Sequence, residues 1–160
     1  DMTTKNSTLV ANYEAIPVVM NDAALLSGVI RIAQGNVALA TTDTGNADIV
    51  MLAPIPSNAV VTSIKVGSDG LGGSCTYDIG IYTEKAAIKD IDIYATSVAD
   101  GAAIAELRYE ALGLETTGQK LHTIAGDTAD PGGFYYIAAT FDAAGGGAGD
   151  MAFLIEYVVN

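Results

Sequence analysis

The chain has 160 residues, with seven basic against nineteen acidic side chains, one histidine, one cysteine and a formal charge of −12. That length suits one domain able to bury roughly 70% of the surface its unfolded chain exposes, and the lone Cys75 cannot close an internal disulfide, so apolar packing must hold the fold. The charge repels phosphate backbones and argues against a nucleic-acid partner, and no apolar run approaches the roughly 20 residues that span a bilayer, which argues against membrane insertion.

Met2 after Asp1 reads as a natural amino terminus with one extra residue ahead of it, and nothing there has the pattern of a signal peptide. Residues 1–12 are polar with little periodicity and are expected to form a disordered arm, although an arm on an assembling protein often orders against a neighbour. Asn6-Ser7-Thr8 spells a glycosylation triplet, a match that chance readily supplies.

From Ile16 onward, short apolar segments rich in Val, Ile and Tyr are bounded by Gly, Asn, Asp and Pro, the pattern of sheet. Residues 28–32 and 37–41 flank Gln34-Gly35-Asn36, a predicted hairpin turn. Residues 48–52 lead into Pro54-Ile55-Pro56-Ser57-Asn58, where two prolines deny backbone donors and predict a strand-to-strand corner. In 59–66, Val60, Ile64 and Val66 share one predicted face, with Val61, Ser63 and Lys65 on the other. Residues 68–74 read as a mobile glycine loop, and 76–82 alternates Tyr77, Ile79 and Ile81 against Asp78, Gly80 and Tyr82.

Residues 83–126 differ in kind. Ile104, Leu107 and Ala111 recur at helical spacing after Asp100, a candidate cap, with Gly113 as a stop, and 119–125 ends similarly at Gly126. The spacing predicts an insertion near 95–126 that carries one or two short helices. Asp130-Pro131-Gly132-Gly133 then turns the chain into a strand at 134–141, 143–149 is a glycine-alanine loop, and 151–159 is the last strand, with Met151, Phe153, Ile155, Tyr157 and Val159 on one face. The expected fold is mainly β: an arm at 1–12, then a single-domain antiparallel β-sandwich or jelly roll at 13–160. Its expected core includes Val60, Ile64, Ile79, Ile81, Ile137, Phe153 and Ile155.

Asp43-Thr44-Gly45 is the triplet with which aspartic proteases seat a carboxylate beside its twin, but here Thr41 and Thr42 precede it where apolar residues should, and an Asx-type turn is the expectation. His122 has no evident partner for a nucleophile-base pair or a metal cage, and Cys75 does not supply one. Residues 67–73 lack the Lys-Ser or Lys-Thr ending of a phosphate loop and precede a strand instead of a helix. Asp127 and Asp130 could offer oxygens to calcium, though their spacing fits no EF-hand. Tyr135, Tyr136 and Tyr157 are expected to line sheet faces, with an interface or a sugar platform as the other use. No catalytic, cofactor-binding or metal-ligating residue is assigned, no cofactor is expected, and the chain does not read as an enzyme.

Residues 52–66, LAPIPSNAVVTSIKV, then 77–83, YDIGIYT, with the later phrases Leu121-His122-Thr123-Ile124-Ala125-Gly126, Asp130-Pro131-Gly132-Gly133 and 153–159, FLIEYVV, resemble small capsid decoration (cement) proteins of tailed bacteriophages. The likeness touches most of the chain after residue 48 and less of 1–47, and its motifs are structural, so no active site transfers with it. The resemblance implies a virion protein on the outer capsid surface that adds to a finished shell, bridges subunits of the major capsid protein and resists internal DNA pressure. It also implies a symmetric homo-oligomer, a trimer on local threefold axes. A tail, fibre or host-receptor-binding module of the same virion is the alternative.

Overall fold

The computed structural model describes residues 8–20, 28–83 and 87–159. After a short helix α1 (Thr8–Glu14), the chain forms β1 (Ile30–Leu39), β2 (Ile49–Pro56), β3 (Val60–Asp69), β4 (Thr76–Tyr82) and β5 (Ile88–Ala99). A single 3-10 turn (Leu114–Thr116) and the four-residue helix α2 (Leu121–Ile124) follow, then β6 (Phe134–Ala143) and β7 (Gly149–Val158). The strands make two sheets, β1-β7-β3 and β2-β6-β4-β5, with every adjacent pair antiparallel. Their inner faces enclose one core containing Ile55, Ile64, Ile79, Ile81, Ile137, Phe141 and Ile155. This is the predicted mainly β, antiparallel sandwich, and α2 lies where a short helix was expected.

Local differences from the sequence reading each have a physical cause. The predicted hairpin at Gln34-Gly35-Asn36 does not form, because β1 runs straight through it in unbroken register with β7. Gly35 lies directly opposite Phe153, and a Cβ there would meet the Phe153 ring at 3.2 Å, so the glycine makes room for an aromatic neighbour where a turn was expected. In β3 a bulge between Val61 and Ser63 shifts the alternation. Val61, Ile64 and Val66 therefore line the core, while Val60 pairs with Val158, both buried outside the main cluster. Phe153 packs against the core but is only half-buried.

The largest departure lies in residues 83–126. Their first part is β5, an edge strand that arches away from β4: Ile79 faces Ala95 while Ile81 faces Asp90, so extra β5 residues bulge between them. Gly80 lies beneath that arch, where a Cβ would run into the backbone carbonyls of Asp90 and Ile91. No helix forms around Ile104, Leu107 and Ala111. Instead the Leu107 amide bonds the Ile64 carbonyl (2.8 Å) and the Ala111 amide bonds the Tyr94 carbonyl (2.9 Å), so the segment spends its backbone groups on β3 and β5 and closes that side of the sandwich. Glu106 completes the join, accepting from the Ile64 amide (2.8 Å), the Ser63 hydroxyl (2.5 Å) and the Arg108 amide (2.9 Å).

The two glycine-rich loops are packed together. The Gly147 amide bonds the Leu71 carbonyl (2.8 Å), the Gly145 amide bonds the Thr44 carbonyl (2.9 Å), and Asp100 accepts from Ser68 Oγ (2.8 Å) and the Gly72 amide (3.1 Å). A Cβ on Gly145 or Gly149 would strike the carbonyl oxygen of Leu71 or Asp69. Backbone lies on backbone here, which glycine alone permits, and the surface loop expected to be mobile is anchored to its neighbour.

Candidate interaction surface

The carboxylates singled out for chemistry are engaged in holding the fold, whereas the His122 ring Nδ1 is buried with no hydrogen-bond partner among the described residues. Asp43 Oδ2 accepts from the Ala40 amide (2.9 Å) and Asp48 Oδ2 from the Gly45 amide (2.8 Å), so the two carboxylates fasten successive turns beside an open cleft of about 430 Å³. Thr44 is buried between them, its hydroxyl accepting from the Gly146 amide (3.2 Å). The triplet is the turn its sequence context predicted, and it also anchors the glycine loops. Cys75 is buried, and burial first, then the charges of Asp100 and Asp142, raise its thiol above the ordinary value.

Asp127 and Asp130, the oxygens considered for calcium, are already engaged. Asp127 takes the Lys89 ammonium at 2.8 Å on one oxygen and the Tyr135 hydroxyl on the other, and Asp130 accepts from Ser57 Oγ (2.5 Å) and the Gly132 amide (2.9 Å). Among the described residues no group of three or more His, Cys, Asp or Glu side chains is placed to hold a metal. His122 fastens α2 through its backbone, with its amide on the Ser57 carbonyl (2.9 Å). Tyr135 lines the core, Tyr157 packs against it, and Tyr136 lies half-buried on the outer face of its sheet, opposite Tyr82.

These contacts set a pH dependence. The Lys89 bond first, then the Tyr135 bond, hold the Asp127 carboxyl below its ordinary value of 3.8, and the Ser57 and Gly132 bonds do the same for Asp130. A folded value below the unfolded one means stability present above about pH 4 and lost as pH falls through the folded value. Tyr135 runs the other way, raised by burial and then by its bond to Asp127, so its contribution is full below the ordinary phenol value of 10.0 and fades as pH rises past it. Asp127→Asn should therefore melt below the wild type at pH 7, with the gap closing in acid. A gap that persisted at pH 2 would refute this account.

What remains uncovered lies at the amino-terminal end of the described chain. Among the described residues, most of the large apolar side chains left exposed fall between Val10 and Ile32, with Ile16 99%, Met20 88% and Val29 77% exposed. Ile30 and Ile32, each 57% exposed, point outward from β1, on the face that Leu154 and Ala152 of β7 continue. Ile104, 69% exposed, borders the same face near Gly67 and Ala152. These exposed apolar side chains make this end of the described chain a candidate interaction surface. Sequence reasoning placed a disordered arm at 1–12, of which 1–7, with Asn6 and Ser7 of the glycosylation triplet, lie outside the described residues, while 8–12 belong to α1; it missed the exposed face of β1. The usable signal was the pair Ile30 and Ile32, whose alternation was read as one half of a hairpin.

No family model matches this sequence, and no curated protein matches it. Among solved structures it is similar to a chain in the capsid of Ralstonia phage GP4, at 15% identity and a TM-score of 0.59, over 83% of this chain and 86% of that one. Weaker likenesses join it to a chain of the cyanophage Pam1 capsid asymmetric unit (14% identity, 99% of this chain and 100% of that one, TM-score 0.47) and to one in the acidic stable capsid of Helicobacter pylori bacteriophage KHP30 (10%, 82% and 88%, 0.43). Of these three, the Ralstonia-phage chain is the one whose fold this sandwich shares.

Proposed function

We propose that this protein is a non-enzymatic structural component of a bacteriophage virion, which binds the outer capsid shell as a symmetric homo-oligomer, a trimer, and stabilises it by bridging subunits of the major capsid protein. The observation that carries this reading is the fold shared with a chain of a phage capsid over most of both chains. Two features of the surface support it. The apolar side chains exposed between Val10 and Ile32 and on β1 suit burial in an assembly, and the carboxylates examined for chemistry are spent on turns and ion pairs that hold the fold.

A protein that binds the assembled shell and not its free subunits raises the melting temperature of the shell by linkage. Particles with this protein should therefore melt higher, and retain DNA better under osmotic shock, than particles without it. Equal melting and equal retention would overturn the cement role. Deleting residues 1–12 should weaken binding to the shell while the far-ultraviolet circular dichroism of the isolated protein stays that of a β-sandwich, and unchanged binding would remove the arm from the interface.

A further inference from the structure

An edge strand presents a row of unpaired backbone donors and acceptors unless something covers or interrupts it. The sandwich has four edges, and three are guarded. Leu107 and the Glu106 carboxylate bond the outer side of β3 at Ile64. β5 arches, and residues 110–111 bond it at Thr96 and Tyr94. β2 carries Pro54 and Pro56, which have no donor to offer, and a register shift between Met51 and Ala53. β1 has none of these devices. It pairs with β7 over ten residues without a shift, contains no proline, and among the described residues makes no backbone bond on its far side.

We propose that β1 pairs antiparallel with β1 of a second copy of this chain about a twofold axis, joining two three-stranded sheets into one. Antiparallel pairing of a strand with itself satisfies both partners through the same residues, as an isologous contact requires. Charge selects the copy over another occupant. The sequence between Asp22 and Asp43 holds no carboxylate and a single cation, Arg31, in a chain of net charge −12. Two copies can therefore approach along this edge without opposing carboxylates, whereas an edge built to receive a basic strand of another protein would carry them. This deepens the homo-oligomer part of the function proposed above and does not depend on the shell: the joint forms in the free protein, as a twofold link between two chains or between two trimers.

The test uses the free, full-length chain. In an unpaired β1, alternate amides between Ile30 and Leu39 face away from β7 and exchange with deuterium like loop amides. In the pair they are protected. Exchange followed over a concentration series, alongside mass by sedimentation equilibrium, should show these alternate amides at least about tenfold slower at concentrations where paired species form, with the protection lost on dilution. Ile32→Lys combined with Gln34→Lys, both at exposed outward positions, should leave the fold intact and raise the dissociation constant of the pair at least about tenfold, since lysine is a natural guard of edges. Alternate amides that stay fast at every concentration, or a paired mass indifferent to the two lysines, would overturn the proposal. Protection that appears only when capsid shells are added would also overturn it, by giving the edge to a shell protein. Particle melting tests the decoration role separately, so failure of either is recognised by itself.

Discussion

Gly80→Ala should lower the unfolding free energy by about 3 kcal/mol or more, the upper range for forcing an extra carbon into a filled site. The added Cβ would collide with the carbonyls of Asp90 and Ile91, where β5 arches over β4. Backbone cannot rotate aside as a flexible side chain can, so the arch must lift. Lifting it exposes Tyr94 and Ala95, both fully buried. Urea unfolding of Gly80→Ala beside Gly73→Ala is the measurement, because nothing lies within 4 Å of a Cβ at Gly73. The midpoint should fall sharply for the first and stay within experimental error for the second. Similar midpoints for both would mean that β5 yields easily and that the arch does not hold the sheet.

The second large effect is expected at Arg108, which is wholly buried and, among the described residues, has no acidic side chain bonded to its guanidinium. Nε donates to the Val61 carbonyl at 3.1 Å, the remaining nitrogens reach the Thr116 hydroxyl and carbonyl at 3.3 and 3.4 Å, and the cation lies 5.4 Å from the Tyr94 ring centre and 4.8 Å from that of Tyr109. The side chain thus ties β3 to β5 and the 3-10 turn through planar donors and two aromatic faces, a set of contacts that suits arginine and that lysine cannot reproduce. Arg108→Ala should cost about 3–5 kcal/mol, from the cavity it leaves and the orphaned Val61 carbonyl. Arg108→Lys should also be clearly destabilised, having one compact charge in place of a fork. Arg108→Met, which keeps a long apolar stem and removes the buried charge, should lose least. If lysine proved as good as arginine, the charge and not the geometry would be what the site requires.

How much of this was legible in the sequence depended on whether local pattern and tertiary partner agreed. Residues 76–82 and 134–141 were read correctly as strands, and the sheets bury Tyr77, Ile79 and Ile81, the predicted face of the first, together with Ile137 of the second. The corner predicted at 54–58 forms at its end, where the Ala59 amide bonds the Pro56 carbonyl (2.9 Å) between β2 and β3, but the prolines themselves lie within an edge strand, with Pro54 exposed, because an edge can spare donors that a central strand cannot. At Gly35 and at Ile104, Leu107 and Ala111, the same residues are compatible with a turn or a helix. Phe153 across the sheet and the carbonyl of Ile64 in β3 decide otherwise. β5 escaped detection for a related reason: its arch breaks the period of two on which strand reading relies.

The candidate site followed the same division. That this is an acidic, alanine- and glycine-rich chain of mainly β structure was determined by composition and by the short, turn-bounded apolar segments along it, because those properties are local to the chain. Which strand keeps an open edge was decided by the tertiary structure alone. β1 and β3 are both ten-residue strands paired with β7, and among the described residues only the path of 104–108, folded back along β3, separates a covered edge from a bare one. A backbone donor is the same group in both strands. Its fate depends on what the rest of the chain brings beside it, which periodicity along a single strand does not encode.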